Sequence, residues 1–202
     1  MIRYLYANEL KTAPLLKETM FLDRADQFKT RLGWDVTLED NGYERDEYDS
    51  HNPLYVIYQK ADGTHGGSMR LLPSTGRTMV NEHFSEILGG GDVRSPFIWE
   101  CTRFCLARNT EPRTAAALML AGGEVMENFR VKHFVGVFDA RMVRIYRMIG
   151  ASPEVLGSTF SSVVELLLSL QIQEAIQLLV PGVKLLSSLQ CVTSLALEGN
   201  NL

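Results

Sequence analysis

Glu100 and Arg103 stand three residues apart in the apolar run "SPFIWECTRFCLA". The flanking residues read as a buried strand, and a charge in such a strand must be paired or used, because burying it alone is costly. Arg70 poses the same problem in "GGSMRLL", among small and apolar neighbours. Arg24 lies on the first long apolar-periodic stretch with Phe28 one turn on, Trp34 follows, and Asp46 and Asp49 stand three apart in "ERDEYD". Carboxylates and arginines gathered at one place can accept a proton and grip an anionic group. They can equally form a structural ion-pair network, and residue type alone leaves both readings open. The spacing is also a geometric statement. Strand side chains alternate faces, so in a regular strand Glu100 and Arg103 point to opposite sides.

The elements that must position these residues alternate between strand and helix. "IRYLYA" (2–7) reads as a first strand, and Pro14 to about Leu32 as a helix with Pro in its first turn and Gly33 at its end. The polar, acidic stretch 33–53 reads as a long loop. "LYVIYQ" and "GGSMRLL" form a hairpin around Asp62-Gly63, and "VNEHFSEIL" (80–88) a short helix before the "WECTRF" strand. A helix over 111–130, a strand over 131–138 and a helix over 139–150 follow. This alternation predicts a mixed α/β layer fold. The leucine-rich stretch 158–202 changes character and reads as two amphipathic helices broken at Pro181-Gly182, with "VVELLL" also compatible with a strand.

Composition narrows the function classes. The 202 residues are 46% hydrophobic and 22% charged, which suits a single globular domain. A net charge of −4 gives no support to nucleic-acid binding. Cys101, Cys105 and Cys191 lack metal-type pairing and suit reduced core thiols, so no metal is expected. The N-terminus has no signal pattern and the leucine-rich stretch is too interrupted for a membrane span, so a cytoplasmic protein without stable membrane insertion is expected.

Taken in order, these motifs resemble the acyl-homoserine lactone synthases, or autoinducer synthases. "FLDRADQFKTRLGWDV" is close to the family's Arg-x-x-x-Phe…Gly-Trp motif, "ERDEYD" matches its Asp-x-x-Asp, "GGSMRLLPST" carries its strand arginine, and Phe84 its phenylalanine. "WECTRF" is close to its Glu-x-Ser-Arg-Phe signature, with Thr102 where serine is usual. The resemblance runs from about residue 1 to 157.

The resemblance implies an α/β (α+β) three-layer sandwich like that of the Gcn5-related N-acetyltransferases, with a central mixed sheet splayed near 97–107. It also implies an acyl transfer from an acyl thioester, on acyl carrier protein or coenzyme A, to the amine of S-adenosylmethionine. Lactonisation then releases methylthioadenosine, and S-adenosylmethionine is substrate rather than cofactor. Glu100 would be the general base, with Arg103, Arg70, Asp46 and Asp49 the catalytic charge network. Arg24, Phe28, Trp34, Phe84 and Thr102 would bind substrate. For Glu100 and Arg103 to share one cleft the strand must bulge, and the irregularity is expected near Cys101–Thr102. Met79, Trp99, Leu118, Met119 and Gly136 are candidates for an acyl pocket, each also readable as plain core. Arg130, Lys132, Arg141, Arg144 and Arg147 form either a basic patch for an acidic carrier protein or a solvated face. The family's sheet continues after Gly157 into another strand, which the leucine-rich stretch does not resemble. Two other functions compete. A general N-acyltransferase would need an Arg/Gln-x-x-Gly-x-Gly/Ala loop, absent from "LARNTEPRTAAALML". An inactive S-adenosylmethionine-binding relative would bind without turnover. A hydrolase is not expected, because no nucleophile–His–acid arrangement is evident.

Overall fold

A computed structural model describes residues 1–138, Arg144, and the strand segments 152–157 and 167–171. The helix expected over 139–150 and most of the leucine-rich stretch lie outside the described residues. In chain order the elements are β1 (Ile2–Tyr6), α1 (Pro14–Ala25), β2 (Leu54–Gln59), β3 (His65–Pro73), α2 (Met79–His83), β4 (Ile98–Leu106), α3 (Thr114–Phe129), β5 (His133–Val135), β6 (Ser152–Gly157) and β7 (Leu167–Gln171). The strands form one sheet in the order β1-β2-β3-β4-β5-β7-β6, with β4–β5 parallel and every other pair antiparallel.

The period-two alternation of β2 divides the core between the two faces of the sheet. Leu54 and Val56 pack with Met69, Leu71, Trp99 and the α3 residues Leu118, Val125 and Met126. Tyr55 and Ile57 pack instead with the α1 residues Leu16, Met20 and Phe21. Helix, sheet and helix thus make the expected three layers. The close approach of α3 rests on Gly67, where an added Cβ would lie 2.8 Å from Leu106 and 2.9 Å from Thr114. Helix α1 starts on Pro14 and continues into a π-helical turn, Asp26–Arg31.

Two features depart from expectation. The segment Leu167–Gln171 is a strand, pairing with β6 on one side and meeting β5 at Phe134↔Leu170. Leucine favours helix, but a short apolar run does not distinguish helix from buried strand by periodicity. Here the available ladder decides, and the sheet is continued after Gly157. The second departure is the place of the bulge. Ser68 pairs with Cys105 and Arg70 with Thr102, so two steps along β3 face three along β4. The extra residue is absorbed at Arg103, whose φ of +53° is left-handed, one position beyond the expected place. Such a conformation costs a non-glycine residue about 1–3 kcal/mol, so the surroundings must impose it.

Candidate active site

The bulge answers the spacing problem. Glu100 and Thr102 share a face by ordinary alternation, and the extra residue turns Arg103 to the same side. Trp99 and Cys101 alternate into the α3 core. On the α1 side, three arginines and three carboxylates close a ring. Arg24 donates from Nε to Glu44 at 2.7 Å and forks to both oxygens of Asp49 at 3.0 Å. Arg70 donates to Asp49 at 3.0 Å and to both oxygens of Asp46, one of them at 2.9 Å. Arg103 completes the circuit, with Nε on Glu44 at 3.0 Å and a terminal nitrogen on Asp46 at 2.8 Å. Each carboxylate bridges two guanidiniums carried by different elements: α1 supplies Arg24, β3 Arg70 and β4 Arg103. This grip on its side chain holds Arg103 in the left-handed conformation.

The acidic loop can supply its three carboxylates because Asp46 caps a 3-10 turn, Glu47–Ser50, accepting from the Tyr48 and Asp49 amides. Asp49 returns a bond from the Asp46 amide, at 2.9 Å, and also accepts the Tyr55 hydroxyl. Burial by itself would raise the Asp49 pKa, but the guanidiniums of Arg24 and Arg70 overcome it and hold the carboxyl well below the usual range. Glu44, at 1% exposure, was missed in the sequence, where "ERDEYD" pointed only to its two aspartates. A charge count was the available signal, since three arginines gathered at one place need a third anion.

The ring is sealed except at one edge. The Arg24, Glu44, Asp49 and Arg70 side chains are buried, whereas those of Arg103 and Asp46 keep 12% and 13% exposure. That edge opens on a cleft of about 540 Å³, lined by five acidic residues, Asp35, Glu39, Glu44, Asp46 and Glu47, against two arginines, Arg45 and Arg103. Trp34 stacks on Phe28 with centroids 5.2 Å apart, and the Arg103 guanidinium lies 5.4 Å from the Phe28 ring. Phe28 is buried and Trp34 carries the exposed face. Thr102 accepts from Arg70 Nε at 3.0 Å.

Glu100 does not line this cleft. It is fully buried, and its oxygens accept the α2 amides of Val80 at 2.6 Å and Met79 at 3.3 Å. Burial raises its pKa, and the Val80 amide and the Arg70 charge offset part of the rise. Phe84 packs in a small apolar cluster with Val80, whose amide Glu100 holds, and with Val135, Ile98 and Val137. Of the acyl-pocket candidates, Trp99, Leu118 and Met119 sit in the α3 core and Met79 is half-buried beside Glu100. Gly136 packs against the Cys101 carbonyl and the Phe138 ring. Of the basic patch, Arg130, Lys132 and Arg144 are exposed, and Arg141 and Arg147 lie outside the described residues.

A chain of a different kind crosses the α1–β3 contact. His65 meets Asp23 at 2.7 Å through Nδ1 and Ser68 at 3.0 Å through Nε2. This nucleophile–His–acid geometry was not evident in the sequence. Ser68 and His65 are 2% and 0% exposed, so no substrate reaches the hydroxyl and hydrolysis does not follow. Burial pushes the Cys101 and Cys105 thiols up to about 12, which leaves them protonated and inert at neutral pH. Among the described residues no group of three or more His, Cys, Asp or Glu side chains could hold a metal ion, and no helix is long and apolar enough to cross a membrane.

The family model described as autoinducer synthase matches residues 7–127. The chain belongs to the autoinducer synthase family. An acyl-homoserine-lactone synthase of Rhizobium etli is 40% identical over 164 residues, covering 78% of this chain and 77% of that protein. The crystal structure of the synthase LasI superposes with a TM-score of 0.75 at 26% identity, covering 92% of this chain and 98% of LasI. The coenzyme-A-dependent acyl-homoserine lactone synthase BjaI, solved with S-adenosylmethionine and isopentyl-CoA, has the same fold, with a TM-score of 0.77, 21% identity and coverage of 88% and 86%. As an autoinducer synthase the protein is an acyltransferase, and the motifs from Arg24 to Arg103 all fall within the matched region.

Proposed function

We propose that this autoinducer synthase seats S-adenosylmethionine at the Arg103–Asp46 edge of the charge ring and acylates its amine there. The observation that carries the reading is the single opening of an otherwise sealed ring onto an acidic cleft. Asp46 and the cleft carboxylates attract the ammonium and sulfonium, Arg103 grips the methionyl carboxylate, and Trp34 offers its face to adenine or to the sulfonium. The amine, whose free pKa is about 7.7–8.0, attacks the thioester carbonyl carbon. Glu100, turned from the α2 amides toward the amine, takes its proton directly or through one water; the carbon–sulfur bond breaks, and the carrier leaves as a thiolate to which Glu100 returns that proton. The methionyl carboxylate then attacks its own γ-carbon, and the sulfonium takes the bonding pair as methylthioadenosine departs. Burial helps Glu100 in this role, because a raised pKa brings a carboxylate closer to that of the amine it serves.

The acyl chain is assigned to the apolar side of Glu100, bounded by Met79, Phe84 and Gly136. Trp99, Leu118 and Met119 back this region from within the core. Arg130, Lys132 and Arg144 are offered to an acidic carrier protein, and the cytoplasm supplies both substrates. Purified protein incubated with S-adenosylmethionine and a panel of acyl-carrier-protein and acyl-CoA thioesters should yield methylthioadenosine and an acyl-homoserine lactone, identified by mass spectrometry. Glu100→Gln should lower the rate by about 10²–10⁴-fold. Unchanged turnover in that variant removes Glu100 as the base.

A further inference from the structure

Among the described residues, the Thr78 hydroxyl is the one buried side-chain oxygen or nitrogen without a hydrogen-bond partner, in a residue of 0% exposure. A buried orphan is unfavourable, so its persistence needs a reason. Thr78 is the N-cap residue of α2, with the extended backbone (φ −143°, ψ 148°) from which a threonine oxygen ordinarily accepts the second or third amide of its helix. That second amide belongs to Val80, and Glu100 already holds it at 2.6 Å, with the first, from Met79, at 3.3 Å. Glu100 therefore occupies the place of Thr78's own cap. With both oxygens engaged, it is turned toward the helix and away from the cleft. Arg70 and Asp46 of the ring, the Tyr48 ring and the Cys101 thiol are the other titratable groups that act on it.

Resting on the reading of Glu100 as the base, we propose that Thr78 is a positioning residue that takes over the cap of α2 when Glu100 turns to the substrate amine. Rotation about its χ1 brings the hydroxyl to the Val80 amide, so the helix start stays satisfied while the carboxylate is released. The helix itself stays in place. Glu82 is held by the Tyr48 hydroxyl at 2.9 Å and by Arg77 at 2.6 Å and 2.7 Å, while Asn81 both donates to and accepts from the Val93 backbone. The resting enzyme tolerates an idle hydroxyl, and the released state puts it to use.

The test compares Thr78→Val, an isostere without the hydroxyl, with Thr78→Ser, which keeps it. In the valine variant Tm should be unchanged or higher, because an orphan is removed, while kcat falls about five- to tenfold, the worth of one cap. Its kcat/KM acid limb should stay in place, since the free enzyme already has Glu100 on the amides. Its kcat acid limb should move to lower pH, because Glu100 now keeps those amide bonds with substrate bound. Thr78→Ser should restore kcat and both limbs. A valine variant with wild-type kcat overturns the exchange, as does one losing Tm and kcat together with unmoved limbs, which is what a purely structural threonine would give. Glu100→Gln separates the two readings. If it is inactive while Thr78→Val is normal, only the exchange fails; if it turns over normally, the base fails and the exchange with it.

Discussion

Glu44→Gln isolates the charge ring as a source of stability. The substitution keeps side-chain size and one carbonyl acceptor, so packing is preserved. It removes one negative charge and turns an amide N–H₂ toward Arg24 or Arg103, which Glu44 holds at 2.7 Å and 3.0 Å. The site is 1% exposed, so water cannot take over the two guanidiniums. Removing one partner of a buried pair costs about 3–5 kcal/mol, a large share of the roughly 5–15 kcal/mol that holds a domain together. At about 2–4 °C per kcal/mol for a chain of this size, Tm should fall by about 6–20 °C. Glu39→Gln is the matched control. Glu39 pairs with Arg45 at 3.1 Å, but the two side chains are 40% and 37% exposed, where a pair is worth about 0–1 kcal/mol. Thermal and urea unfolding of both variants, followed by circular dichroism, measures the difference. If Glu44→Gln costs no more than Glu39→Gln, the ring is not holding α1, β3 and β4 together.

Three further outcomes follow from the geometry. The depressed Asp49 pKa means that the folded state favours its ionised form; the associated stability is complete above the unfolded value of about 3.9 and is lost as pH falls below it toward the folded value. Urea midpoints from pH 6 to pH 3 should show that loss, and Asp49→Asn should start lower and flatten the slope. At Gly136 an added Cβ would lie 2.5 Å from the Cys101 carbonyl oxygen and 2.7 Å from the Phe138 ring, so Gly136→Ala should destabilise by about 1–3 kcal/mol in urea unfolding. Gln27 acts as a substitute strand on the edge of β4 beyond β5, donating to the Phe104 carbonyl and accepting from the Leu106 amide, both at 2.8 Å. Gln27→Ala should therefore speed hydrogen exchange at Leu106 while leaving Cys101 protected.

The sequence made some parts of this protein legible for physical reasons. The apolar period of α1 and the "LYVIYQ"–"GGSMRLL" hairpin around Asp62-Gly63 are local signals, and each became the expected element. The need for a bulge was also legible, because a three-residue spacing cannot place Glu100 and Arg103 on one face otherwise. Its residue was not legible, since Arg103 adopts a left-handed φ only through distant partners, Glu44 and Asp46. Leu167–Gln171 was misread as helix for the same reason: five residues carry too little periodicity, and the ladder that decides them comes from elsewhere in the chain. The partners of Glu100 were equally hidden, because Met79 and Val80 hold it through backbone amides and nothing in their side chains announces it.

The ring also constrains how this sequence can change over generations. Every member has two neighbours of opposite sign, the arginines carried on three separate elements and the carboxylates on one loop, so neutralising any one member unbalances the circuit. Replacing Arg24 leaves Glu44 and Asp49 with one guanidinium each; replacing Asp46 leaves Arg70 and Arg103 with one carboxylate each. A lineage that exchanged one of these residues would pass through a poorly folded ancestor before any compensating change arose. Folding alone therefore ties the six positions to one another, apart from any demand of the signal molecule.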